Sequence, residues 1–170
     1  HISKMFRRGI RNSKSKIQKC KIVVVGSGAR EHAIAEKFSK DNKITHIYVL
    51  PGNDGISGSK IEIKKNIKTN KEICQFCIKN KIDLVFIGPE VPLVDGLTDI
   101  LEHNNINVFG PNKNNAKLEG SKITSKEIMN KYKIPTANYK VYNNYDDIYS
   151  DIQIGDMDIV IKYDGLAGGK

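Results

Sequence analysis

The sequence predicts an α/β fold built on a doubly wound parallel sheet, and three observations support this. Short β-branched runs alternate with helical stretches from residue 20 onward. Most of these runs stop at clusters of Gly, Pro and Asn, which favour turns. A glycine-rich turn, GSGARE at residues 26–31, follows the first run and opens a helix.

The first elements follow the strand–helix–strand pattern. Residues 21–25 are a continuous β-branched run, typical of a strand buried on both faces. Residues 29–39 predict a helix, with apolar side chains four apart on one face. A second strand is predicted at residues 45–50, where it stops at a PGNDG cluster. Residues 60–63 alternate weakly and predict a third strand.

The same alternation continues as far as Pro111. Residues 70–79 predict a helix, and residues 83–87 predict a strand that stops at Gly-Pro. Residues 94–104 predict a helix, and residues 106–109 a strand that stops at a second Gly-Pro. Strands and helices at this spacing indicate a parallel sheet covered by helices.

The pattern changes after Pro111. Helices are predicted at residues 112–118, 121–132 and 144–152, and strands at residues 139–142 and 158–163. We place a domain boundary near Gly120. The expected organisation is a basic extension at residues 1–20, a first domain at 21–120, and the start of a second domain at 121–170. The sequence stops within a glycine-rich stretch, so we expect it to be part of a longer protein.

The positive charge of the chain lies at one end. The net charge is +9, and residues 1–20 hold seven Lys and Arg and no acid, so the rest is close to neutral. We interpret these residues as a disordered extension. An organelle-targeting segment or a nucleic-acid-binding arm remain the alternatives. Three cysteines are too few for a disulfide scaffold and fit a reducing compartment, hence the cytoplasm. No apolar run is long enough to span a bilayer.

Three polar loops are expected to converge on one crevice. Residues 26–30, 51–55 and 88–92 each leave the carboxyl end of a predicted parallel strand, which is where open α/β sheets bind ligands. Arg30 lies in the first loop and suits an anionic ligand. Glu90, between two prolines, suits ribose hydroxyls or an amine. A tight turn without a ligand and a solvated loop glutamate remain the alternatives.

A second candidate ligand-binding segment, one that suits a nucleotide, lies at residues 159–170, IVIKYDGLAGGK. An apolar strand is expected to carry Lys162 toward nucleotide phosphates, with a glycine-rich turn beside them. The spacing does not match the phosphate-binding P-loop, and a simple hairpin turn is the alternative. Cys74 and Cys77 have redox-like spacing, but they fall inside a predicted helix and are interpreted as core residues.

Six motifs, taken in order, resemble the phosphoribosylamine–glycine ligase (glycinamide ribonucleotide synthetase) family of the ATP-grasp superfamily. They are GSGAREH at residues 26–32, PGNDG at 51–55, GPEVPL at 88–93, LEGSK at 118–122, KIPTA at 133–137 and IKYDGLAGGK at 161–170. The resemblance covers residues 21–170. It implies a Rossmann-like pre-ATP-grasp domain followed by the start of an ATP-grasp domain.

The resemblance also implies an activity. Such enzymes ligate glycine to 5-phosphoribosylamine with ATP, through a glycyl phosphate, and form glycinamide ribonucleotide in de novo purine biosynthesis. ATP and Mg²⁺ or Mn²⁺ are the implied cofactors, bound largely by residues beyond Lys170. The 170 residues alone are expected to be inactive. The implied partners are small-molecule substrates, without nucleic acid or membrane, and the parent chain is compatible with fusion to later purine-pathway domains.

The resemblance assigns binding residues to two groups. For phosphoribosylamine they are Gly26, Gly28, Arg30, Gly52, Asn53, Gly55 and Glu90. For ATP they are Lys122, Lys162, Asp164, Gly165, Leu166, Gly168, Gly169 and Lys170. No catalytic or metal-binding residue is assigned within the sequence. Tyr163 and Gly168 stand where relatives often have alanine, and both are expected to be tolerated, although Tyr163 is large enough to crowd the loop.

Three other functions remain as alternatives. Another ATP-grasp carboxylate–amine ligase is disfavoured by the GAREH and LEGSK runs. A dinucleotide- or sugar-phosphate-binding module without activity is the second. For a dinucleotide, Glu31 stands where the third glycine is required, and Leu50-Pro51 stands where an acid would end the second strand. Nucleic-acid binding through the basic extension is the third, and it predicts steep salt dependence.

Overall fold

The computed structural model describes residues 19–154 and 159–166, and it contains a five-stranded parallel sheet in the order β3-β2-β1-β4-β5. The strands are β1 (Cys20–Gly26), β2 (Ile44–Pro51), β3 (Ile61–Ile63), β4 (Leu84–Ile87) and β5 (Val108–Phe109). The helices are α1 (Ala29–Ser39), α2 (Asn70–Asn80), α3 (Glu90–Val94), α4 (Leu97–His103), α5 (Lys113–Gly120), α6 (Lys122–Lys131) and α7 (Tyr145–Ile154). The predicted doubly wound α/β fold is therefore confirmed.

Strand β1 lies at the centre of the sheet and contributes side chains to two hydrophobic cores, one on each face of the sheet. Side chains alternate across a strand, so Ile22 and Val24 pack on one face while Val23 and Val25 pack on the other. All four are at most 3% exposed. This is why the strand reads as an unbroken apolar run.

The strand order reverses beside β1. Strand β2 pairs with one edge of β1, with Gly26 opposite Pro51, and β4 pairs with the other edge, with Val25 opposite Ile87. The loops that leave β1 and β4 therefore separate in opposite directions. The crevice they leave is the topological switch point, where doubly wound sheets bind ligands.

Helix α2 begins with a capping box. The Thr69 hydroxyl accepts a hydrogen bond from the Glu72 N–H at 3.3 Å, and the Glu72 carboxylate accepts one from the Thr69 N–H at 2.9 Å. Both N–H groups would otherwise lack an intrahelical partner. The helix buries Ile73, Cys74 and Cys77 behind this cap, as predicted for the two cysteines. Burial raises the pKa of Cys77 to about 12, so this thiol stays protonated.

Thr69→Ala is expected to lower the free energy of unfolding by about 1 kcal/mol, because a lost side-chain cap typically costs about 0.5–2 kcal/mol. Urea denaturation followed by circular dichroism measures the change. The matched control is Thr69→Ser, which keeps the hydroxyl and should unfold close to the wild-type midpoint. Equal midpoints for wild type and Thr69→Ala would contradict the assigned role of the cap.

Two predictions between β4 and β5 were wrong. The helix predicted at residues 94–104 begins only at Leu97, because Gly96, with a left-handed φ of 85°, separates α4 from α3, which ends at Val94. The loop predicted at residues 88–92 is instead the start of α3, with Glu90 as its first residue. Pro92 falls in the first turn, where a missing N–H costs no intrahelical hydrogen bond.

The predicted strands at residues 139–142 and 158–163 are absent from the described part of the chain. Residues 139–142 and 159–163 have no strand assignment, and no strand of the described sheet pairs with them. Val160 and Tyr163 are 80% and 79% exposed. A β-branched run forms a strand only when a neighbouring strand pairs with its N–H and C=O groups. Residue 158 itself lies outside the described residues.

The other predicted elements are present, and no end shifts by more than two residues. Apolar side chains cover both faces of the sheet, and the cores lie within the part predicted as the first domain. Within the ranges that the structure describes, none of the helices is long and apolar enough to cross a membrane.

Candidate functional site

Three strand-end loops meet at the switch point. The Gly52 N–H donates to the Gly26 carbonyl at 3.1 Å, and the Gly88 N–H donates to the Val25 carbonyl at 3.0 Å. The Asn53 side-chain amide donates to the Ser27 carbonyl. The turn after β1 is therefore tied to the turns after β2 and β4. This arrangement brings Gly26, Gly28, Gly52 and Asn53 to one edge of the sheet.

Gly26 and Gly88 permit the close approach of these turns. Gly26 has a φ of 129°, which L side chains rarely adopt. A Cβ atom on Gly88 would lie 2.1 Å from a carboxylate oxygen of Glu31. A side chain at either position would displace Glu31, so glycine is required on steric grounds.

Arg30 extends across the crevice from the start of α1. Its Nε donates to Glu31 at 2.8 Å, and its Nη1 lies 3.5 Å from Glu90. The hydrogen bond to Glu31 raises the pKa of Arg30 above its ordinary value, so the guanidinium is charged at any physiological pH. The side chain is 53% exposed, which leaves N–H groups within reach of a ligand.

Glu31 is the buried charge of the site, at 3% exposure. One carboxylate oxygen accepts the Gly28 N–H at 2.8 Å, and the other accepts the Arg30 Nε–H at 2.8 Å. A buried carboxylate is tolerated when hydrogen bonds and an opposite charge replace its hydration. Its side chain packs against Gly26 and Gly88, and so connects the turns after β1 and β4.

Glu90 stands at the opposite wall, half-buried, as the first residue of α3. A carboxylate is electrostatically favoured at the first turn of a helix. A cavity of about 310 Å³ lies beside it, between α3 and α5. Asn115 and Glu119 of α5 also line this cavity. These two residues were missed at the sequence level, because only the packing of α5 against α3 brings them to the site.

The loop after β2 is organised by Asn53. Its side-chain oxygen accepts a hydrogen bond from the Gly55 N–H at 2.7 Å, while its side-chain NH₂ group donates one to the Ser27 carbonyl. Asp54 forms an ion pair with Lys65, and Gly55 is exposed. The Asn53 side chain therefore adds to the backbone hydrogen bond from Gly52 to Gly26 in holding the loop against the glycine-rich turn. Asn is suited to this because it offers a donor and an acceptor together.

A second constellation forms at the start of α6. The Asp164 carboxylate accepts hydrogen bonds from the Ile123 N–H at 3.1 Å and from the Ser121 hydroxyl at 3.1–3.2 Å. The Lys122 Nζ donates to the Gly165 carbonyl at 2.7 Å. Asp164 and Gly165 are thereby fixed to the amino end of α6. Ser121 was not singled out at the sequence level, although a Ser before a helical run is a cap signal.

Asp164 is expected to titrate below its ordinary pKa of 3.8, because the Ile123 N–H and then the Ser121 hydroxyl stabilise its charged form. A depressed carboxyl pKa adds stability above the ordinary value, and this stability is lost as the pH falls through the folded-state pKa. The contact should therefore persist at neutral pH and open below pH 3.8. A carbon-detected NMR titration measures this pKa.

Ser121→Ala should move the pKa of Asp164 back toward 3.8. The matched control is Ser125→Ala, one turn further along α6, since the Ser125 hydroxyl donates to Leu118 instead. A wild-type pKa at or above 3.8 would contradict the hydrogen-bonded arrangement.

The remaining residues assigned to ATP are placed as follows. Lys162 is exposed and lies two residues before Asp164, and Leu166 is 38% exposed. The ring of Tyr163 faces Gly165, with a ring carbon 3.2 Å from where a Cβ would be. Gly168, Gly169 and Lys170 lie outside the described residues.

The fold and the crevice place the chain in the class of doubly wound α/β proteins whose ligand crevice lies at the switch point. Family models refine this class. The model described as "Phosphoribosylglycinamide synthetase, N domain" matches residues 20–119, and "Phosphoribosylglycinamide synthetase, ATP-grasp (A) domain" matches residues 120–170. The chain belongs to the phosphoribosylglycinamide synthetase family.

Curated relatives agree with this assignment. The chain is 42% identical over 149 residues to the phosphoribosylamine–glycine ligase of Halalkalibacterium halodurans, covering 88% of the chain and 35% of the relative. It is 44% identical over 149 residues to the ligase of Mesorhizobium japonicum, with the same coverage. The chain thus spans about a third of the length of the relatives it matches.

A solved structure shares the fold. The N5-carboxyaminoimidazole ribonucleotide synthetase from Thermotoga maritima superposes with a TM-score of 0.58 at 18% identity. The superposition covers 79% of this chain and 36% of that enzyme. At this identity the likeness concerns the fold alone.

Proposed function

We propose that this chain supplies the phosphoribosylamine-binding domain and the start of the ATP-binding domain of a phosphoribosylamine–glycine ligase. The observation that carries the proposal is the convergence of three polar loops at the switch point, where the Arg30 guanidinium and the Glu90 carboxylate lie 3.5 Å apart. Family membership supports it. The division near Gly120 is part of the proposal, and the two family matches, which meet at residues 119 and 120, support it.

In the proposed reaction, ATP phosphorylates the glycine carboxylate to give glycyl phosphate and ADP. The amine of phosphoribosylamine then attacks the glycyl carbonyl, and inorganic phosphate leaves. Arg30 would bind the 5-phosphate through its outer N–H groups, since guanidinium is suited to phosphate. Glu90 would accept hydrogen bonds from the ribose hydroxyls or the amine. This part of the chain would therefore act by positioning the nucleophile.

Lys122, Lys162 and the backbone of Asp164, Gly165 and Leu166 would hold the ATP phosphates. Lysines stabilise the charge of a phosphoryl group that is being transferred. The bond from Lys122 to Gly165 would then exchange for a bond to phosphate. The assignment extends to Gly168, Gly169 and Lys170 through the family motif alone.

Mg²⁺ or Mn²⁺ is implied by the family, and the residues described here do not fit a metal site. No group of three or more His, Cys, Asp or Glu side chains among residues 19–154 and 159–166 is placed to hold a metal ion. We therefore assign no step through a metal to this part of the chain.

We further propose a cytoplasmic location and small molecules as the partners. Cys74 and Cys77 are buried within α2, and three cysteines in 170 residues are too few for a disulfide scaffold, which supports a reducing compartment. The near-neutral charge beyond residue 20 gives no support to a nucleic-acid surface on the folded part.

A chimera tests the proposed function. The matching 149 residues of the Halalkalibacterium halodurans ligase are replaced by those of this chain. The chimera should release ADP only when both glycine and phosphoribosylamine are present, and Arg30→Ala should raise its KM for phosphoribosylamine. A folded chimera that binds ATP but forms no glycinamide ribonucleotide would contradict the proposal.

Binding to the unmodified chain separates the proposal from a dinucleotide-binding module. Ribose 5-phosphate, a stable analogue of phosphoribosylamine, should raise the thermal unfolding midpoint, as a ligand of the folded state does. NAD tested beside it should not. Stabilisation by NAD alone would favour the dinucleotide module.

A further inference from the structure

Glu31 occupies the position at which dinucleotide-binding turns carry their third glycine. In such turns the backbone N–H groups after the first strand, with the helix N-terminus, bind a diphosphate. Here the Gly28 N–H already donates to Glu31 at 2.8 Å. The protein thus places one of its own carboxylates at the anion position of the turn.

Glu31 opposes a diphosphate at this position sterically as well as electrostatically. Glu31 is 3% exposed, and its side chain fills the space between Gly26 and Gly88, the last residue of β1 and the residue after β4. A dinucleotide crosses a doubly wound sheet at this point. A diphosphate at this site would have to displace Glu31 or approach its negative charge. Like charges brought together at an interface repel each other.

The same carboxylate orients Arg30. Its second oxygen takes the Arg30 Nε–H at 2.8 Å, which leaves the terminal guanidinium nitrogens directed away from that bond. One of these, Nη1, lies 3.5 Å from Glu90, and the side chain is half exposed. A terminal phosphate at the crevice mouth could therefore reach Arg30 without entering the glycine-rich turn.

We propose that Glu31 is a specificity-determining residue: it excludes diphosphates from the glycine-rich turn and positions Arg30 for a single terminal phosphate. The exclusion follows from the geometry of the crevice. The choice of ribose 5-phosphate as the accepted ligand rests on the proposed function.

The test compares two ligands that share a ribose 5-phosphoryl group. Ribose 5-phosphate ends in a monophosphate, whereas ADP-ribose carries the same unit on a diphosphate. Isothermal titration calorimetry measures both affinities for wild type and for Glu31→Gln, which keeps the shape and removes the charge. The ratio of the two affinities should shift toward ADP-ribose by at least about tenfold, which corresponds to about 1.4 kcal/mol.

If Glu31 only stabilised the start of α1, Glu31→Gln would alter both affinities in proportion and leave their ratio unchanged. The matched control is Glu36→Gln, an exposed carboxylate on the same helix, which should leave both affinities as in wild type. A folded Glu31→Gln variant with the wild-type ratio would overturn the inference. Failure of wild type to bind ribose 5-phosphate would instead contradict the proposed function.

A measurement on wild type keeps the inference testable if Glu31→Gln does not fold. During a titration with inorganic pyrophosphate, the Arg30 side-chain NMR signals should shift, whereas the Gly28 amide, already bonded to Glu31, should stay in place. A shift centred on the Gly28 amide would show that diphosphate reaches the turn, and would overturn the inference.

Discussion

Arg30→Ala is expected to weaken ribose 5-phosphate binding by about 10- to 100-fold. Hydrogen bonds to charged groups contribute about 1.5–3 kcal/mol, and each 1.4 kcal/mol corresponds to about tenfold in affinity. The guanidinium is the cation that the structure places between Glu31 and Glu90 at the switch point. Calorimetric titration of the variant and of wild type at the same ionic strength measures the loss.

Two further variants distinguish a specific contact of Arg30 with the phosphate from a general effect of positive charge. Lys37→Ala removes the same charge from an exposed position on α1 and should leave the affinity nearly unchanged. Arg30→Lys keeps the charge but lacks the planar fork, so its affinity should fall between those of wild type and Arg30→Ala. If Lys37→Ala weakened binding as much as Arg30→Ala, attraction by net charge would replace the specific role of Arg30.

Leu97→Ala is expected to lower the free energy of unfolding by about 2–5 kcal/mol, the cost of removing a buried leucine side chain and leaving a cavity. Leu97 lies on α4, is fully buried, and belongs to the same core cluster as Val85 and Ile87 of β4. Typical domains are stable by about 5–15 kcal/mol, so this is a large share. Denaturant unfolding measures the effect.

Ile78→Ala is the matched surface control. Ile78 lies on α2 and is 53% exposed, so its truncation should change the stability by less than about 0.5 kcal/mol. If Leu97→Ala unfolded at the wild-type denaturant concentration, the packing of α4 on the sheet would be wrong.

The layered fold was predictable because its signals are local. The unbroken run of β1 and the turn clusters after most of the strands are readable along the chain. The later start of the helix predicted at residues 94–104 was missed because an isolated glycine such as Gly96 is tolerated in many helices. The strands predicted at residues 139–142 and 158–163 are absent from the described residues for another reason. Strand formation depends on a pairing partner, which composition does not reveal.

The site was predictable only in outline. Parallel strands bring their carboxyl ends to one edge, so the loops at residues 26–30, 51–55 and 88–92 could be expected to meet. The contact of Glu31 with Gly88, distant in sequence, could not be read from either residue alone. Asn115 and Glu119 were missed likewise, since their position depends on how α5 packs against α3.

The central claim is that the switch-point crevice binds a sugar phosphate. The most direct measurement is an amide chemical-shift map of the chain titrated with ribose 5-phosphate. We predict that the perturbed amides cluster at residues 29–30, 52–55 and 88–90 and that Arg30→Ala removes the perturbations. Perturbations centred on α6 near Lys122, or none at millimolar ligand, would contradict the assignment of this crevice.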